Sequence, residues 1–395
     1  MTENQLEKLA YAALLFALCS PSRVASQQFD SVVTTSVAPG VVHRKLVVDS
    51  TPWQINVLEI DLKQPGLSLR AVRAGDRFKG FETVSSMARR FSGPGRAVAA
   101  INGDFFNIKT GESENNIVIE GSLLKGETVT DSPYDTFNTV HSQFGLGWDN
   151  RPVIERFVFT GRAGARGKRA HTLDALNFWP GTNSLVLYTP SFGDSTASDS
   201  SNAPRLSLQL RRQGGTGDTL LFAVVGKSEV RRVPLAQGGA LVASGSRQSE
   251  LSQFRPGTTV RAILGLRPSH PALRTVIGGW PRIVVNGKSV AHAVDPLEGT
   301  FPRFSALRHP RTAIGFSRDS SKVFLVAVDG RRESGVGMSL VELARLMLTL
   351  GAFEAINLDG GGSTTMVVNG EVVNSPSDKT GERPVGSALL VVLDR

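Results

Sequence analysis

Apolar and polar residues alternate over several short stretches in the first third of the chain. The alternation starts near Trp53, in WQINVLEIDL, and returns at residues 67–72. Successive side chains of a strand point to opposite faces, so this period of two predicts half-buried β-strands. Residues 82–91 (ETVSSMARRF) have helical spacing instead, and a Gly- and Pro-rich turn ends that helix. The apolar run AVAAI then leads into Asn102-Gly103-Asp104.

Residues 150–275 have a different pattern. Short β-rich runs alternate with Gly, Ser and Pro clusters, and no convincing helix stands out; the runs are SLVLYTP, RLSLQLR, TLLFAVVG and TVRAILGL. This spacing of short strands predicts an all-β subdomain that is inserted into, or packed on, the rest of the chain.

The last third of the chain combines strands with one amphipathic helix. RTAIGFS and KVFLVAVDG read as strands, and residues 339–350 (SLVELARLMLTL) form a helix with one apolar face. Ser339 and Glu342 predict a capping box, and Gly351 suits the helix end. Strand EAINLD, a run of glycines, a hairpin turning at Asn369-Gly370 and strand SALLVVLD follow.

These patterns together predict a fold of the α/β (mixed α+β) class, with a large mixed sheet, few helices and a β-rich inserted subdomain. We expect a signal peptide at 1–26 and a linker at 27–49. The main domain is expected in two parts, 50–149 and 276–395, on either side of the inserted subdomain at 150–275, and the later part carries the candidate site.

The first 26 residues are typical of a secretory signal. An apolar stretch from Leu9 to Cys19 follows Lys8 and is too short to span a bilayer, and small residues stand at Ala25 and Ser26. We therefore predict export to the periplasm or the medium, without stable membrane insertion after processing. An acylated Cys19 is the alternative, disfavoured by the bulky Leu18 before it. Cys19 is the sole cysteine, so disulfide and thiol chemistry are excluded for a processed chain.

The composition is that of a globular protein, with 395 residues, 40% hydrophobic and 20% charged, and a net charge of +9. The signal holds two acids and two bases, so its removal leaves this charge unchanged. Arg outnumbers Lys, which favours bidentate contacts with phosphate or carboxylate groups on an acidic glycan or phosphodiester. No basic run with interleaved aromatic residues is present, so nucleic acid is not indicated as a partner.

Two aspartates end strands that should meet at one sheet edge. The segment from Val323 to Asp359 reads as strand, helix, strand, which makes a right-handed crossover between parallel strands. The two strands end in Asp329-Gly330 and Asp359-Gly360. Ligands of open sheets gather at the carboxyl ends of strands, so we expect a site there.

Three glycines follow Asp359. Gly360, Gly361 and Gly362 would let the main chain approach a ligand and direct N–H groups towards it, and the hydroxyl groups of Ser363 and Thr364 follow. The run is not a phosphate-binding P-loop, because the lysine is missing and a strand follows it instead of a helix. The alternative is a tight turn whose aspartate caps its own backbone.

Further candidate binding residues lie elsewhere in the chain. Asn102 and Asp104 also follow an apolar strand, although Asn-Gly alone is an ordinary turn. Arg311 opens a strand and Arg331 follows Asp329 by two residues, although isolated arginines are usually solvated. Gly279 and Trp280 complete the set of candidates.

An ordered series of motifs resembles the phosphodiester glycosidase family over most of residues 50–395; the motifs are AINGDFF, GGWPRIVVNGK, RTAIGF, VAVDGR, LGAFEAINLDGGGSTTMVVNG and ERPVGSALLVV. The middle region, with LNFWPGTNSLVLYTPSFGDST, resembles the longer bacterial members. Two residues depart from the family pattern. Asp104 stands where many members have glycine, and Trp280 replaces a third glycine and could narrow or stack on a sugar site.

The resemblance implies hydrolysis of the bond between the anomeric carbon of a sugar and a phosphodiester oxygen, with a sugar phosphodiester or phosphoglycan as substrate. Arg311, Arg331 and the N–H groups of Gly360–Gly362 would stabilise the phosphate. Asp359 and Asp329 are the first candidates for the catalytic carboxylate, followed by Asp104 and then Glu112. Carboxylate separation decides between nucleophile and general base.

Two rival functions stay open at this stage. A metal-dependent phosphodiesterase would use Asp104, Asp329 and Asp359 as ligands, and a non-catalytic envelope protein would use the glycines to line a carbohydrate groove. The chain has no zinc or EF-hand ligand spacing, so we predict neither a metal nor a cofactor.

Overall fold

The computed structural model describes residues 29–394, apart from residues 131, 133–134, 166, 179–180, 198–204 and 230–231. The predicted signal peptide lies outside the described residues. Strands dominate and helices are few, which confirms the predicted fold class. The strands are β1 Ser31–Ala38, β2 Val41–Val48, β3 Trp53–Asp61, β4 Leu67–Arg73, β5 Arg96–Asn102, β6 Ile117–Ile119, β7 Ser122–Glu127, β8 Gln143–Gly147, β9 Pro152–Glu155, β10 Val158–Ala165, β11 His171–Leu173, β12 Ala175–Leu176, β13 Leu185–Tyr188, β14 Arg205–Gly214, β15 Thr219–Ser228, β16 Gly238–Ser244, β17 Thr259–Arg267, β18 Leu273–Gly278, β19 Arg282–Val285, β20 Lys288–Ser289, β21 Arg311–Phe316, β22 Lys322–Val328, β23 Glu354–Asn357, β24 Met366–Val368, β25 Glu371–Val372 and β26 Ser387–Leu393.

Four α-helices occur in the described residues: α1 Val84–Arg90, α2 Val294–Glu298, α3 Pro302–Ser305 and α4 Leu340–Thr349. The capping box of α4 is confirmed, because Ser339 accepts a hydrogen bond from the Glu342 backbone and the Glu342 side chain accepts one from Ser339. The described residues contain no helix that is long and apolar enough to cross a membrane.

The strands form three sheets. An eight-stranded sheet has the order β1-β2-β3-β22-β21-β23-β19-β20, and a five-stranded sheet has the order β25-β24-β5-β26-β4. A thirteen-stranded sheet has the order β11-β10-β17-β15-β14-β16-β13-β12-β7-β6-β18-β8-β9. This sheet includes β6, β7 and β8, which precede residue 150, and the parallel pair β12 and β13. The division of the chain into subdomains stays a prediction.

Apolar side chains hold these sheets together in layers. One face of the eight-stranded sheet, including Leu58 and Leu325, packs on Leu69 and Val391 of the five-stranded sheet. Its other face packs on α4, whose buried residues include Leu343. The outer face of the five-stranded sheet is covered by α1. The central strands of the eight-stranded sheet, β21 and β22, are therefore buried on both sides, as their continuous apolar sequences indicate.

The predicted crossover places two strand ends at one edge. β22 and β23 are each antiparallel to β21, which lies between them, so they run in the same direction. Helix α4 connects them along the chain. Asp329 and Asp359 therefore follow strands that end on the same side of the sheet, as the sequence predicts.

Most of the predicted linker at 27–49 forms a β-hairpin in the structure. Residues 31–48 form β1 and β2, which pair with each other and extend the eight-stranded sheet next to β3. The turn between them contains Gly40 in the left-handed region, with φ of 73°. β-branched residues and this turn produce a hairpin although most of β1 is exposed.

Candidate active site

A cavity of about 480 Å³ lies at the edge where β22 and β23 end. One wall is the turn from Asp359 to Ser363. A second wall consists of arginine side chains, and a third is aromatic. The cavity thus brings a carboxylate, several cations and apolar rings into one space.

Asp359 is the only acidic residue among the described residues that line this cavity. Its N–H donates to the carbonyl of Gly103 at 3.2 Å, and its Oδ1 accepts from the N–H of Gly360 at 2.9 Å. Burial raises the pKa of Asp359 to about 7, and the negative charge of Asp104 adds to this rise. The Ser363 hydroxyl, the Gly360 hydrogen bond and the charge of Arg383 act in the opposite direction. Near neutral pH the carboxyl group of Asp359 is therefore present in both its protonated and its ionised form.

Each glycine of the turn is required for a different reason. A Cβ at Gly360 would lie 2.8 Å from the carbonyl oxygen of Pro310. Gly361 has φ of 61°, in the left-handed region that side chains disfavour. A Cβ at Gly362 would overlap the guanidinium group of Arg383. The run of three glycines therefore brings the backbone close to two neighbouring segments.

The N–H groups of the turn are used inside the protein. Gly360 donates to Asp359, Gly361 donates to the carbonyl of Pro310 at 2.9 Å, and Ser363 donates to the carbonyl of Gly360 at 3.1 Å. The prediction that the glycine N–H groups bind a phosphate is therefore not supported at Gly360 and Gly361. The hydroxyl of Ser363 lies at the cavity and interacts with the carboxylate of Asp359, whose pKa it lowers.

Asn102 connects the end of β5 to this turn. Its side-chain nitrogen donates to the carbonyl of Asp359 at 2.6 Å, and its oxygen accepts from Thr312 at 2.9 Å and from the Thr365 N–H at 3.1 Å. The side chain is fully buried and does not line the cavity. Asn102 therefore positions Asp359, and the structure does not place it where a substrate would touch it.

Asp104 lies behind Asp359 and is 2% exposed. Its two carboxylate oxygens accept from the side chain and backbone of Asn115, at 2.7 and 3.0 Å. Burial raises the pKa of Asp104 to about 6, although the Asn115 bonds and the charge of Lys125 lower it. Asp104 is close enough to Asp359 to affect its charge, but it does not itself line the cavity.

Glu114 is a third carboxyl group in this cluster, and the sequence did not single it out. Its N–H donates to the carbonyl of Phe105, directly after Asp104, and its Oε2 is buried without a partner among the described residues. Burial raises the pKa of Glu114 to about 8, and the charges of Asp104 and Asp359 add to this effect. The buried polar run ESENN, at 112–116, is the signal for it in the sequence. Glu112, the predicted fourth candidate, lies 3.9 Å from Lys125 instead.

Asp329 does not line the cavity with Asp359. Its Oδ1 accepts from the N–H of Ser375 at 2.9 Å and from the side chain of Asn374 at 3.1 Å. Asn374 in turn donates to the carbonyl of Thr364, after the glycine turn. Asp329 thus supports the turn from behind. Its catalytic role stays a prediction, and its position outside the cavity lining does not favour that role.

Four arginines among the described residues line the cavity: Arg303, Arg311, Arg331 and Arg383. The sequence predicted Arg311 and Arg331. It missed Arg303, in the short helix α3, and Arg383, in an irregular segment, because neither stands in a distinguishing pattern. Arg311 is 2% exposed and donates to the carbonyls of Met338 and Phe304, at 2.9 and 2.6 Å. Burial lowers the pKa of Arg311 to about 9, and the nearby charge of Arg331 lowers it further. Arg311 is still charged at neutral pH.

The aromatic wall contains Phe105, Phe106, Phe301 and Phe304. Trp280 stacks on Phe304 with ring centroids 5.1 Å apart, and its Nε1 donates to the carbonyl of Glu298. Trp280 is 1% exposed, so it supports the wall from behind and does not offer its face to a sugar as predicted. Gly279 is also buried and lies outside the cavity lining, where a Cβ would meet the carbonyl of Asn357.

Residues 216–392 match the phosphodiester glycosidase family. The matched residues make up less than half of the chain, and over them the resemblance predicted from the sequence is confirmed. The matched part includes Arg311, Asp329 and Asp359, whereas Asp104 and Glu114 lie before it.

Among curated relatives, N-acetylglucosamine-1-phosphodiester alpha-N-acetylglucosaminidase from Bos taurus is 35% identical over 156 residues. The aligned part is 36% of this chain and 29% of the bovine protein, so the chain spans less than a third of that relative.

Two solved structures share the fold. A hypothetical protein from Synechocystis has a TM-score of 0.74 and 22% identity, covering 92% of this chain and 64% of that one. A Burkholderia pseudomallei K96243 protein, described as exported, has a TM-score of 0.66 and 25% identity, covering 86% and 74%. The similarity of the first structure concerns the fold alone.

Proposed function

We propose that this protein is a hydrolase that cleaves the glycosidic bond of a sugar-1-phosphodiester, and that it releases a sugar and a phosphate monoester. The observation that carries the proposal is the placement of Asp359 in a cavity whose other ionisable walls are mainly cationic. The family match and the name of the bovine relative support the reaction class.

The chemistry of the leaving group fits this cavity. Water supplies a hydroxyl group to the anomeric carbon and a proton to the released phosphate, and the C–O bond breaks. The phosphate leaves as an anion, so it needs less protonation by a general acid than an ordinary alcohol does. Guanidinium groups such as those of Arg331 and Arg383 stabilise the charge that develops on the phosphate oxygens.

Asp359 has the position of the reacting carboxylate. In its ionised form it attacks the anomeric carbon or removes a proton from water, and it stabilises the positive charge of the oxocarbenium-like transition state. Its raised pKa of about 7 keeps part of the population protonated at neutral pH. Asp104 acts through Asp359, because its negative charge opposes the ionisation of Asp359.

The aromatic wall suits the sugar. Phe301 and Phe304 present ring surface to the cavity beside Arg311, whose guanidinium carbon lies 5.0 Å from the ring centroid of Phe304. A pyranose ring has one face of C–H groups that can pack on such rings, while its hydroxyl groups remain free for polar contacts. The sugar is therefore placed on this wall and the phosphate on the arginines.

We also propose that the protein is exported and acts in envelope or exopolysaccharide metabolism. The proposal is supported by the signal-like residues 1–26 and by the similarity to a Burkholderia protein described as exported.

The rival metal-dependent phosphodiesterase receives no support from the arrangement of the three predicted ligands. Asp359 lines the cavity, Asp104 is committed to Asn115, and Asp329 is committed to residues 374–375. No group of three metal-binding side chains occurs within the described ranges.

Turnover by the purified protein tests the proposal. Para-nitrophenyl sugar phosphodiesters are compared with bis-para-nitrophenyl phosphate, each with and without a chelator. Free sugar together with a phosphate monoester is the expected product. Cleavage of the bis-aryl phosphate alone, lost in chelator, would establish the metal-dependent rival. Saturable glycan binding without turnover on a broad panel of sugars would favour the non-catalytic alternative.

A further inference from the structure

Large apolar side chains stay exposed beside the cavity. Ile108 lines the cavity and is 71% exposed, and Phe81, which lies outside the lining, is 45% exposed. The ring of Phe81 meets the ring of Phe106, another lining residue, edge to face with centroids 5.9 Å apart. We call Phe81, Phe106 and Ile108 the apolar rim. Single exposed apolar residues are ordinary, but a group of them at the edge of a cavity indicates a surface that a ligand covers.

Backbone contacts fix the apolar rim in place. The N–H of Gly80 donates to the carbonyl of Thr110 at 2.9 Å, which joins the two chain segments that carry the rim. The neighbouring Glu82 exchanges two backbone hydrogen bonds with Val385, at 3.1 and 2.8 Å. The chain around Val385 therefore lies directly against the rim.

The apolar rim lies on the side of the cavity where the phosphate is placed. Arg383 stands two residues before Val385, and its guanidinium group lies against Gly362 of the glycine turn. Phe106 packs with Val385 in one apolar cluster, whereas Phe304, on which the sugar is placed, packs on a different cluster. A substrate whose sugar lies on Phe304 and whose phosphate meets Arg383 therefore directs its leaving group towards the rim.

Polar side chains next to the rim already have partners inside the protein. Glu82 accepts from the Nε of Arg90 at 2.8 Å and from the N–H of Gly75 at 2.7 Å. Glu382 accepts from the N–H and the hydroxyl of Ser85, at 2.8 and 2.6 Å. A leaving group rich in hydroxyl groups would have to compete with these bonds. An alkyl chain would instead remove the apolar surface of the rim from water.

We propose that the leaving group of the substrate is an alkyl alcohol, as in a lipid, whose chain lies on the apolar rim. This inference rests on the proposed function for the position of the scissile phosphate. Hydrolysis transfers the hydroxyl group of water to the anomeric carbon, breaks the C–O bond and releases an alkyl phosphate, which takes the remaining proton. The substrate class is thus a sugar linked through a phosphodiester to an alkyl chain.

Binding of sugar-free phosphates tests the proposal without requiring turnover. Calorimetric titration compares methyl phosphate, hexyl phosphate and glycerol 3-phosphate, with Phe81→Ala and Ile108→Ala as test variants. Val33→Ala is the matched control, because Val33 is 58% exposed on β1 and belongs neither to the rim nor to the cavity lining.

The expected result is a preference for the alkyl chain. We expect hexyl phosphate to bind about tenfold more tightly than methyl phosphate, which is less than full burial of the added methylene groups would give, because the rim is partly open to water. Glycerol 3-phosphate should bind about as weakly as methyl phosphate. Phe81→Ala and Ile108→Ala should each lower the hexyl preference by about threefold, and Val33→Ala should leave it unchanged.

The outcomes separate the apolar rim from the proposed reaction. Equal affinity for methyl and hexyl phosphate, or binding of glycerol 3-phosphate as tightly as hexyl phosphate, would overturn the alkyl leaving group. An equal loss of the hexyl preference in Val33→Ala and in the rim variants would overturn it as well. Absence of turnover on any sugar phosphodiester with the hexyl preference intact would overturn the proposed function alone.

Discussion

Asp359 lies among groups that affect its charge in opposite directions. Asp104 and burial favour the protonated form, whereas Arg383 and the Gly360 N–H favour the carboxylate. A nucleophile or general base must be ionised to react, and a pKa near the working pH gives a useful balance between reactivity and ionised fraction.

Removal of the Asp359 carboxylate should abolish most of the turnover. Asp359→Asn keeps the size of the side chain and removes its charge, so we expect kcat to fall by about 10³ or more while the fold remains. Steady-state kinetics and thermal unfolding measure the two effects. Wild-type turnover by a folded Asp359→Asn protein would remove Asp359 from its role.

Asp329→Asn provides the comparison for this variant. The amide oxygen can still accept from Ser375 and Asn374, but these bonds lose the assistance of a negative charge, so we expect a loss of about 1 kcal/mol in the free energy of unfolding. Because Asp329 is outside the cavity lining, the fall in kcat should be much smaller than for Asp359→Asn. An equal fall in a stable Asp329→Asn protein would restore the predicted catalytic role of Asp329.

A pH profile tests the influence of Asp104. We expect kcat/KM to rise with pH through about 7 as Asp359 ionises. Asp104→Asn removes a negative charge that opposes this ionisation, so the midpoint should move to lower pH. Asp319→Asn, in the exposed turn between β21 and β22, should leave the midpoint unchanged. An upward shift for Asp104→Asn would contradict the proposed interaction.

The sequence predicted part of this site because Asp359 and the glycines have local signals: a strand end, an acid and a run without side chains. It missed Glu114, Arg303 and Arg383 because their importance depends on burial and on the approach of distant segments. The sequence also predicted that the N–H groups of Gly360 and Gly361 bind a phosphate. In the structure they donate to Asp359 and Pro310 instead, and these contacts depend on how the turn closes.

At the level of elements, the glycine turn controls the position of an arginine. The guanidinium group of Arg383 lies where a side chain at Gly362 would stand, and Asp378 holds Arg383 from the other side. The alternating strands and the capped helix α4 were predictable from local patterns. The hairpin of β1 and β2 was not, because both of its strands carry polar residues and most of β1 is exposed.

A substitution at Gly362 should therefore affect activity more than stability. In Gly362→Ala the flexible Arg383 side chain moves away, so we expect kcat/KM to fall by about tenfold and the free energy of unfolding to change by less than about 1 kcal/mol. Gly370→Ala is the control. Gly370 has φ of 88° in an open turn, so this change should cost about 1–2 kcal/mol and leave activity unchanged. Kinetics and chemical denaturation of both variants distinguish the outcomes, and unaltered activity of Gly362→Ala would contradict the role of Arg383.

For the whole molecule, the buried carboxyl groups connect folding to pH. Burial raises the pKa values of Asp104, Glu114 and Asp359 to about 6, 8 and 7. The folded protein thus holds protons that the unfolded chain releases near pH 4, and this stabilisation is complete below that pH. It is lost as the pH rises towards 8, so the free energy of unfolding should fall over this range.

Glu114→Gln tests this linkage. The variant has no proton to lose at this position, so its free energy of unfolding should fall less steeply than that of the wild type between pH 5 and 9. One pKa unit corresponds to about 1.4 kcal/mol, so the difference should reach several kcal/mol. Denaturant titrations at a series of pH values measure it, with the exposed Glu371→Gln as control. Parallel curves for Glu114→Gln and the wild type would contradict the prediction.

The arrangement of the sheets was the least predictable feature. Alternation identifies a strand but not its neighbour, and the neighbours here are distant in the chain. β4 and β5 both pair with β26, so that residues 67 and 96 each lie opposite Leu393. Such pairings depend on the packing of the complete chain rather than on local sequence.

This pairing affects how the protein is made. A nascent chain leaves the ribosome with its N-terminus first, so β4 and β5 are synthesised roughly three hundred residues before their shared partner β26. Until then their apolar edges are open to aggregation or to chaperones. A premature stop codon before Ser387 would remove little mass, yet it would leave β4 without a pairing partner and β5 paired with β24 alone. Completion of translation through β26 is therefore a precondition for assembly of the cavity at Asp359.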